Sequence, residues 1–132
     1  MSSIAKGSFA VDVKPLPELE PNLADGVTLG RMSLDKRFEG DLAATGRGQM
    51  LTAMTPVQGS AGYVAIERVT GTLHGKRGSF VFQHSGSMSG GTQQLTIAVV
   101  PDSGTGELAG IAGTFRIQIA EGEHFYEFEY QL

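Results

Sequence analysis

Short segments with alternating apolar residues, separated by glycine- and proline-rich turns, run along almost the whole chain. In residues 4–13, for example, Phe9, Val11 and Val13 fall on one face. Glycine makes up 19 of the 132 residues, about twice its usual frequency of roughly 7%. Most of these glycines lie singly among β-branched and aromatic residues, as in turns and bulges of a β-sheet. No segment keeps a helical period over the length of a helix.

The alternating segments predict about eight strands joined by short turns, which is typical of an antiparallel sandwich or barrel. The last strand is too apolar to remain an open edge, and pairing it with the first strand would close a barrel. The predicted fold is therefore all-β, a single closed or nearly closed eight-stranded antiparallel meander barrel. It forms one domain over residues 1–132, with a proline-rich loop at 15–25 that could act as a lid or a packing arm. The predicted strands are 4–13, 27–39, 46–57, 63–73, 79–88, 93–100, 114–120 and 124–132.

The chain contains an internal repeat, in which residues 70–83 are echoed by residues 105–118. Since each copy places glycines before a strand, we interpret the repeat as one structural device used twice. It predicts that Phe80 and its counterpart Phe115 are both buried. The matched positions are Thr70 and Thr105, Gly71 and Gly106, Leu73 and Leu108, Gly75 and Gly110, Gly78 and Gly113, Phe80 and Phe115, and Gln83 and Gln118.

Two stretches carry a family resemblance: Tyr-Val-Ala-Ile-Glu-Arg-Val-Thr-Gly-Thr-Leu-His-Gly-Lys-Arg-Gly-Ser-Phe-Val-Phe-Gln-His-Ser-Gly at 63–86, and Gly-Thr-Gly-Glu-Leu-Ala-Gly-Ile-Ala-Gly-Thr-Phe at 104–115. Both resemble an uncharacterised bacterial family of small barrels, a domain of unknown function. That family is similar in fold to the allene oxide cyclase and dirigent barrels. The resemblance implies a closed eight-stranded meander and, by analogy with those barrels, a homo-oligomer. It implies no activity.

Composition excludes several classes of function. The formal net charge of −4 and the pI of about 5.3 argue against a nucleic-acid partner, because such partners need a basic surface. No apolar run approaches the roughly 20 residues of a membrane helix. The chain has no cysteine, which excludes disulfides and thiolate chemistry. The first residues lack the apolar stretch of a signal peptide, so a cytoplasmic protein without a cofactor is expected.

The best candidate for a functional site in the sequence is a carboxylate and an imidazole on an otherwise apolar strand face. If residues 63–88 fold as a hairpin about Lys76 and Arg77, Val69 lies opposite His84. Glu67 is then diagonal to His84, at roughly 7–8 Å between backbones. The repeat aligns His84 with Ile119, which predicts that His84 occupies an interior position filled by isoleucine in the second copy.

Such a pair could orient a ligand or transfer a proton, although buried pairs of this kind are also structural. We predict Glu67 and His84 as catalytic residues. The predicted ligand-binding residues are Tyr63, Glu67, Phe82 and His84.

The remaining polar residues give weaker signals. His74 is expected near a hairpin tip in solvent, and His124 begins the last strand. No histidines have the close spacing of a metal site, so no metal is predicted. Glu127 and Glu129 alternate with aromatic residues and are expected on a solvated outer face. The glycine motifs match no phosphate-binding pattern.

Three hypotheses of function stay open. The first is a small-molecule-binding barrel with an apolar lumen, since eight strands enclose room for about one small ligand. The second is an isomerase or cyclase in which Glu67 and His84 transfer protons. The third is a structural or oligomerisation module, which predicts a filled lumen and an apolar outer patch.

Overall fold

The computed structural model describes residues 2–17 and 26–132, and its eight strands form one closed antiparallel barrel. Each strand pairs with its neighbours in sequence, and the last strand pairs with the first. The predicted meander barrel is confirmed, while the likeness to the allene oxide cyclase and dirigent barrels stays a prediction. The strands are β1 (Ser2–Leu16), β2 (Thr28–Gly40), β3 (Leu42–Met54), β4 (Ala61–Leu73), β5 (Lys76–Ser89), β6 (Thr92–Val99), β7 (Ala112–Ala120) and β8 (Glu123–Gln131).

Helical structure in the described residues is limited to one 3-10 turn, Gly106–Leu108. No helix there has the length and the apolar character needed to cross a membrane. Glycines lie in the turns that follow β4, β5 and β7, as the sequence predicts.

The two ends of the barrel interior differ in their side chains. One end, where the β2–β3 and β4–β5 turns lie, is packed with buried aromatic rings, and we name it the aromatic end. Phe82 contacts Phe115 at 4.9 Å between ring centroids, and Phe115 stacks on Tyr126 at 5.3 Å. Phe80 and Phe115 are 1% and 4% exposed, so their predicted burial is confirmed. The rings are Phe9, Phe38, Phe80, Phe82, Phe115, Tyr126, Phe128 and Tyr130.

The β4–β5 hairpin has a different register from the predicted one. It turns at His74 and Gly75, whose φ angles are 47° and 81°. Positive φ at both central residues is the geometry of the two-residue turns that match the twist of paired strands. Ala65, rather than Val69, therefore pairs with His84. The predicted turn at Lys76 and Arg77 is therefore wrong. The observed register differs from the predicted one by an even number of residues, so each side chain stays on the predicted face of the sheet.

The two copies of the internal repeat have different structures. The first copy is the β4–β5 hairpin, whereas the second contains the Gly106–Leu108 turn and runs into β7. The two copies contact each other, because the Thr105 N–H donates to the Ser79 carbonyl at 2.8 Å and the Ser79 N–H donates to Thr105 Oγ1 at 3.1 Å. Ile119 is 65% exposed. The inference that it fills an interior position equivalent to His84 is therefore wrong: it lies near the end of β7.

The first strand is longer than predicted. β1 continues through Pro15 and Leu16, which pair with Met32 and Arg31 of β2. The predicted loop at 15–25 therefore begins too early. Its residues 18–25 lie outside the described part of the chain, so the lid or packing-arm interpretation stays a prediction.

Candidate functional site

Three polar side chains lie buried together inside the barrel: Lys36 of β2, Glu67 of β4 and His84 of β5. They are the only charged or polar residues in the described part of the chain that rank as buried, at 8%, 0% and 2% exposure. The Lys36 Nζ lies 3.3 Å and the His84 Nε2 lies 2.9 Å from the same atom, Glu67 Oε1. Their inward direction follows from strand alternation, since each occupies the same face as buried apolar neighbours.

Glycines on β3 create the space for this cluster. β3 lies between β2 and β4, and its inward positions Gly46 and Gly48 pair with Lys36 and Glu67 respectively. A Cβ atom added at Gly46 would lie 2.2 Å from Glu67 Oε2. Lys36 can therefore reach across β3 to Glu67 only because no side chain projects inward from Gly46.

Burial sets the electrostatics of the cluster. Desolvation lowers the pKa of Lys36, and the charge of Glu67 together with its hydrogen bond opposes that shift. The ammonium group also lies 5.0 Å from the ring centroid of Phe9 and 5.8 Å from that of Phe38, a cation–π arrangement that offsets part of the lost hydration. Glu67 Oε2 is buried and has no hydrogen-bond partner among the residues that the structure describes.

Tyr63 connects the cluster to the other end of the barrel. Its hydroxyl lies 3.3 Å from His84 Nδ1. Burial, and secondly the charge of Glu67, raises the pKa of the Tyr63 phenol. Across the β4–β5 pair stands Gly86, where an added Cβ would lie 2.6 Å from a Tyr63 ring carbon. The bare glycine therefore gives the ring room to lie across the strand pair.

A pocket of about 260 Å³ occupies the end of the barrel with the β3–β4 and β5–β6 turns, which we name the pocket end. Tyr63 both lines this pocket and contacts His84, whereas Glu67 and His84 lie behind it. Larger clefts of about 670 Å³ and 450 Å³ are lined in part by outward-facing residues of β1 and β8, and their walls are more polar. The inward-facing lining residues of the pocket are Met50, Thr52, Met54, Ala61, Tyr63, Gly86, Met88, Gln93 and Leu95.

The predicted site residues fall in different places. Glu67 and His84 are hydrogen-bonded, and Tyr63 contacts His84. Phe82 is fully buried in the aromatic end and does not line the pocket. The roles of these residues in binding or catalysis stay predictions.

Sequence reasoning missed Lys36 as the third member of the cluster. The signal was present, because Lys36 alternates with Leu34 and Phe38 on the inward face of β2. The three methionines of the pocket were also missed, since isolated methionines carry no positional signature.

The other candidate residues are peripheral. His74 is exposed and hydrogen-bonds through Nδ1 to the Tyr130 hydroxyl, and His124 packs against the Phe9 ring at 5.1 Å. Glu127 is exposed and 3.5 Å from Lys6, while Glu129 is half-buried. Within residues 2–17 and 26–132, no group of three or more potential ligands could hold a metal ion.

Comparisons with known proteins agree with this architecture. A family model described as "Protein of unknown function (DUF3224)" matches residues 5–130. A crystal structure of a protein of unknown function from the DUF3224 family, from Shewanella oneidensis MR-1, is 50% identical to this chain. It superposes with a TM-score of 0.96, covering 100% of this chain and 98% of that chain. No curated protein matches. The chain belongs to the DUF3224 family of proteins of unknown function.

Proposed function

We propose that the protein binds a small apolar molecule in the pocket end of its barrel, with Tyr63 as a polar contact. The observation that carries this proposal is the division of the interior. Aromatic rings fill one end, while methionine and leucine side chains leave a space of about 260 Å³ at the other. Binding sites are typically apolar concavities with a few placed polar groups. A volume slightly below the roughly 300–1,000 Å³ of sites for drug-sized molecules favours a ligand of one or two rings.

Flexible side chains in the pocket support binding over simple filling. Met50, Met54 and Met88 line it, and thioethers adapt their shape to different apolar partners. Met54 is 55% exposed and Met88 is 38% exposed. Large apolar side chains that remain this accessible beside a concave surface would gain burial when a ligand binds.

A charge placed in the pocket tests the proposal. The probe is the neutral two-ring fluorophore 1-naphthylamine, and the variant is Leu95→Asp, because Leu95 lines the pocket and is 47% exposed. The matched control is Ile4→Asp, since Ile4 is 51% exposed but does not line the pocket. We expect saturable binding to the wild type, a loss of at least about tenfold in affinity in Leu95→Asp, and an unchanged affinity in Ile4→Asp. Equal affinity in both variants, or no binding to the wild type, would contradict the proposal.

Proton transfer is a second candidate because a hydrogen-bond chain leads from the pocket to a buried carboxylate. The chain runs from Tyr63 through His84 to Glu67. In an isomerase or cyclase of this design, Tyr63 would contact the substrate, and Glu67 would act only through His84. Solvent-deuterium exchange into a bound enolisable ketone, lost in both Tyr63→Phe and His84→Gln, would support it. Exchange no faster than in buffer would rule it out for that substrate.

An oligomer is the third candidate. Leu51 and Val64 pair across β3 and β4 on the outer face, with Ile66 two residues further along, and each is about half exposed. This apolar strip would suit the same strip on a second copy. Sedimentation of the wild type beside Ile66→Asp measures the association directly, and a monomeric wild type would exclude it.

A further inference from the structure

We infer that Tyr63 presents a hydrogen-bond acceptor to the pocket, so that the ligand is an apolar molecule that carries a hydroxyl or another hydrogen-bond donor. This inference rests on the proposed function and names the chemical class of its ligand. It follows from the directions of the hydrogen bonds in the buried cluster, which can be assigned one after another starting from Lys36.

The first step is the charge of the cluster. Lys36 and His84 both approach Glu67 Oε1, at 3.3 Å and 2.9 Å, and all three side chains are buried. A charged Lys36, an ionised Glu67 and a neutral His84 sum to zero. A neutral Lys36 with a cationic His84 would sum to zero as well, but Lys36 Nζ lies over the rings of Phe9 and Phe38, an arrangement that favours an ammonium group there. A second cation beside one carboxylate would leave a buried charge uncompensated, which is strongly disfavoured.

The second step is the tautomer of His84. An ionised Glu67 has no proton to donate, so it accepts hydrogen bonds from both neighbours. His84 must therefore carry its single ring proton on Nε2, which faces Glu67 Oε1. Its other nitrogen, Nδ1, is left without a proton and can only accept.

The third step is the direction of the Tyr63 hydroxyl. Since His84 Nδ1 accepts, the Tyr63 O–H donates inward across the 3.3 Å separation. A phenol has one proton, so its remaining capacity on the pocket side is as an acceptor. The rest of the pocket wall is largely apolar, although Thr52 and Gln93 also line it, so the Tyr63 oxygen is the acceptor whose direction the cluster fixes. A bound hydroxyl would satisfy that acceptor, whereas a ketone oxygen would face another oxygen lone pair.

The tautomer can be tested without any ligand. Long-range nitrogen–proton NMR of the histidine rings distinguishes a protonated from an unprotonated ring nitrogen. At neutral pH we expect His84 to have a proton on Nε2 and none on Nδ1. A proton on Nδ1, in either the other neutral tautomer or the cation, would overturn the inference whatever the pocket binds.

The ligand preference is tested with three probes that share one skeleton: indanol, indanone and methoxyindane. Calorimetry on the wild type should give indanol about tenfold tighter binding than the ketone or the ether, the value of about one net hydrogen bond. In Tyr63→Phe the three affinities should fall within about twofold of one another. Indanone binding as tightly as indanol would overturn the inference while leaving the proposed function intact. Probes that bind the wild type and Leu95→Asp equally, or bind neither, would instead show that the proposed function has failed.

Discussion

The two ends of the barrel interior are built on the same strand alternation but differ in what their side chains can do. At the aromatic end, rings such as Phe82 and Phe128 are fully buried and pack at 5.3 Å between centroids. At the pocket end, Met54 and Leu95 face the same interior yet stay about half exposed around a space of about 260 Å³. One end is packed in a way that supports the stability of the fold, while the other has the room in which we propose that a ligand binds.

The buried cluster of Lys36, Glu67 and His84 marks the boundary between these ends. Lys36 lies over the rings of Phe9 and Phe38, and His84 contacts Tyr63 at the pocket. A buried ion pair by itself is weak support for stability, because desolvation offsets much of the attraction. The position of the cluster between the aromatic end and the pocket end suits a role in orienting Tyr63.

Truncation of one apolar side chain at each end should give the largest change in stability. Phe115→Ala should lower the free energy of unfolding by about 3–5 kcal/mol, since it removes a ring that is 4% exposed and contacts five other rings. Met88→Ala, at the pocket end, should cost less than about 1 kcal/mol, because Met88 is already 38% exposed. Chemical denaturation measures both. Similar losses of unfolding free energy in the two variants would contradict the distinction between the two ends.

Removal of the buried ammonium group tests the boundary. Lys36→Met should lower the free energy of unfolding by about 3 kcal/mol, the lower part of the range for a broken buried pair, because Glu67 keeps its hydrogen bond from His84. The double variant Lys36→Met, Glu67→Gln should recover much of that loss, since it removes the unpaired charge. Denaturation midpoints of the two variants are the measurement. A double variant no more stable than the single one would show that charge compensation is not the cause.

The space on β3 offers a sharper test of the boundary. Gly46→Ala should cost about 1–3 kcal/mol, because its Cβ would lie 2.2 Å from Glu67 Oε2 in a packed interior. The control is Gly62→Ala, whose Cβ would meet its nearest atom at 3.6 Å, an ordinary contact. We expect it to be close to neutral in thermal melts. Equal effects at both glycines would mean that the cluster relaxes freely.

The alkaline behaviour of Tyr63 gives the smallest expected effect. Its pKa is raised in the folded protein, chiefly by burial, from the ordinary value of 10.0. The folded chain therefore holds this proton where the unfolded chain loses it. The resulting stabilisation is full below pH 10 and is lost as the pH rises through the folded-state pKa.

Tyr63→Phe should consequently show a shallower loss of stability above pH 10 than the wild type. Tyr126→Phe is the matched comparison, since burial also raises the pKa of Tyr126 but its hydroxyl bonds to the backbone around Leu42 rather than to the cluster. Denaturation at a series of alkaline pH values measures both slopes. An unchanged slope in Tyr63→Phe would mean that its phenol titrates alike in the two states.

Much of the fold could be predicted from the sequence because strand alternation and turn residues act locally. The internal repeat, which sets a glycine turn before a strand in each copy, predicted the burial of Phe80 and Phe115 correctly. The strand register was harder to predict, because the turn at His74 and Gly75 requires a positive φ at a histidine and no sequence signal indicates that conformation. The contact between Glu67 and His84 survived that error because the slip kept both residues on one face and still adjacent.

The site was only partly predictable. Phe82 was expected beside a ligand, but the tilt and closure of the barrel, which no local pattern specifies, place it among other rings. The burial of Lys36 could have been predicted, because alternation places it on the inward face of β2. Its contact with Glu67 could not, because that contact depends on the space that Gly46 leaves on the intervening strand. A contact that spans three strands depends on how all three are paired, and a single sequence does not specify that pairing.

If the proposal is right, ligand binding is confined to the pocket end, and methyl NMR during a titration with indanol measures this. We expect saturable shifts of the methyl signals of Met50, Met54 and Met88, whose side chains line the pocket. We expect little change at Leu73 and Val69 in the core cluster. Shifts centred on Leu73 and Val69, or no saturable shift at the three methionines, would contradict the proposal.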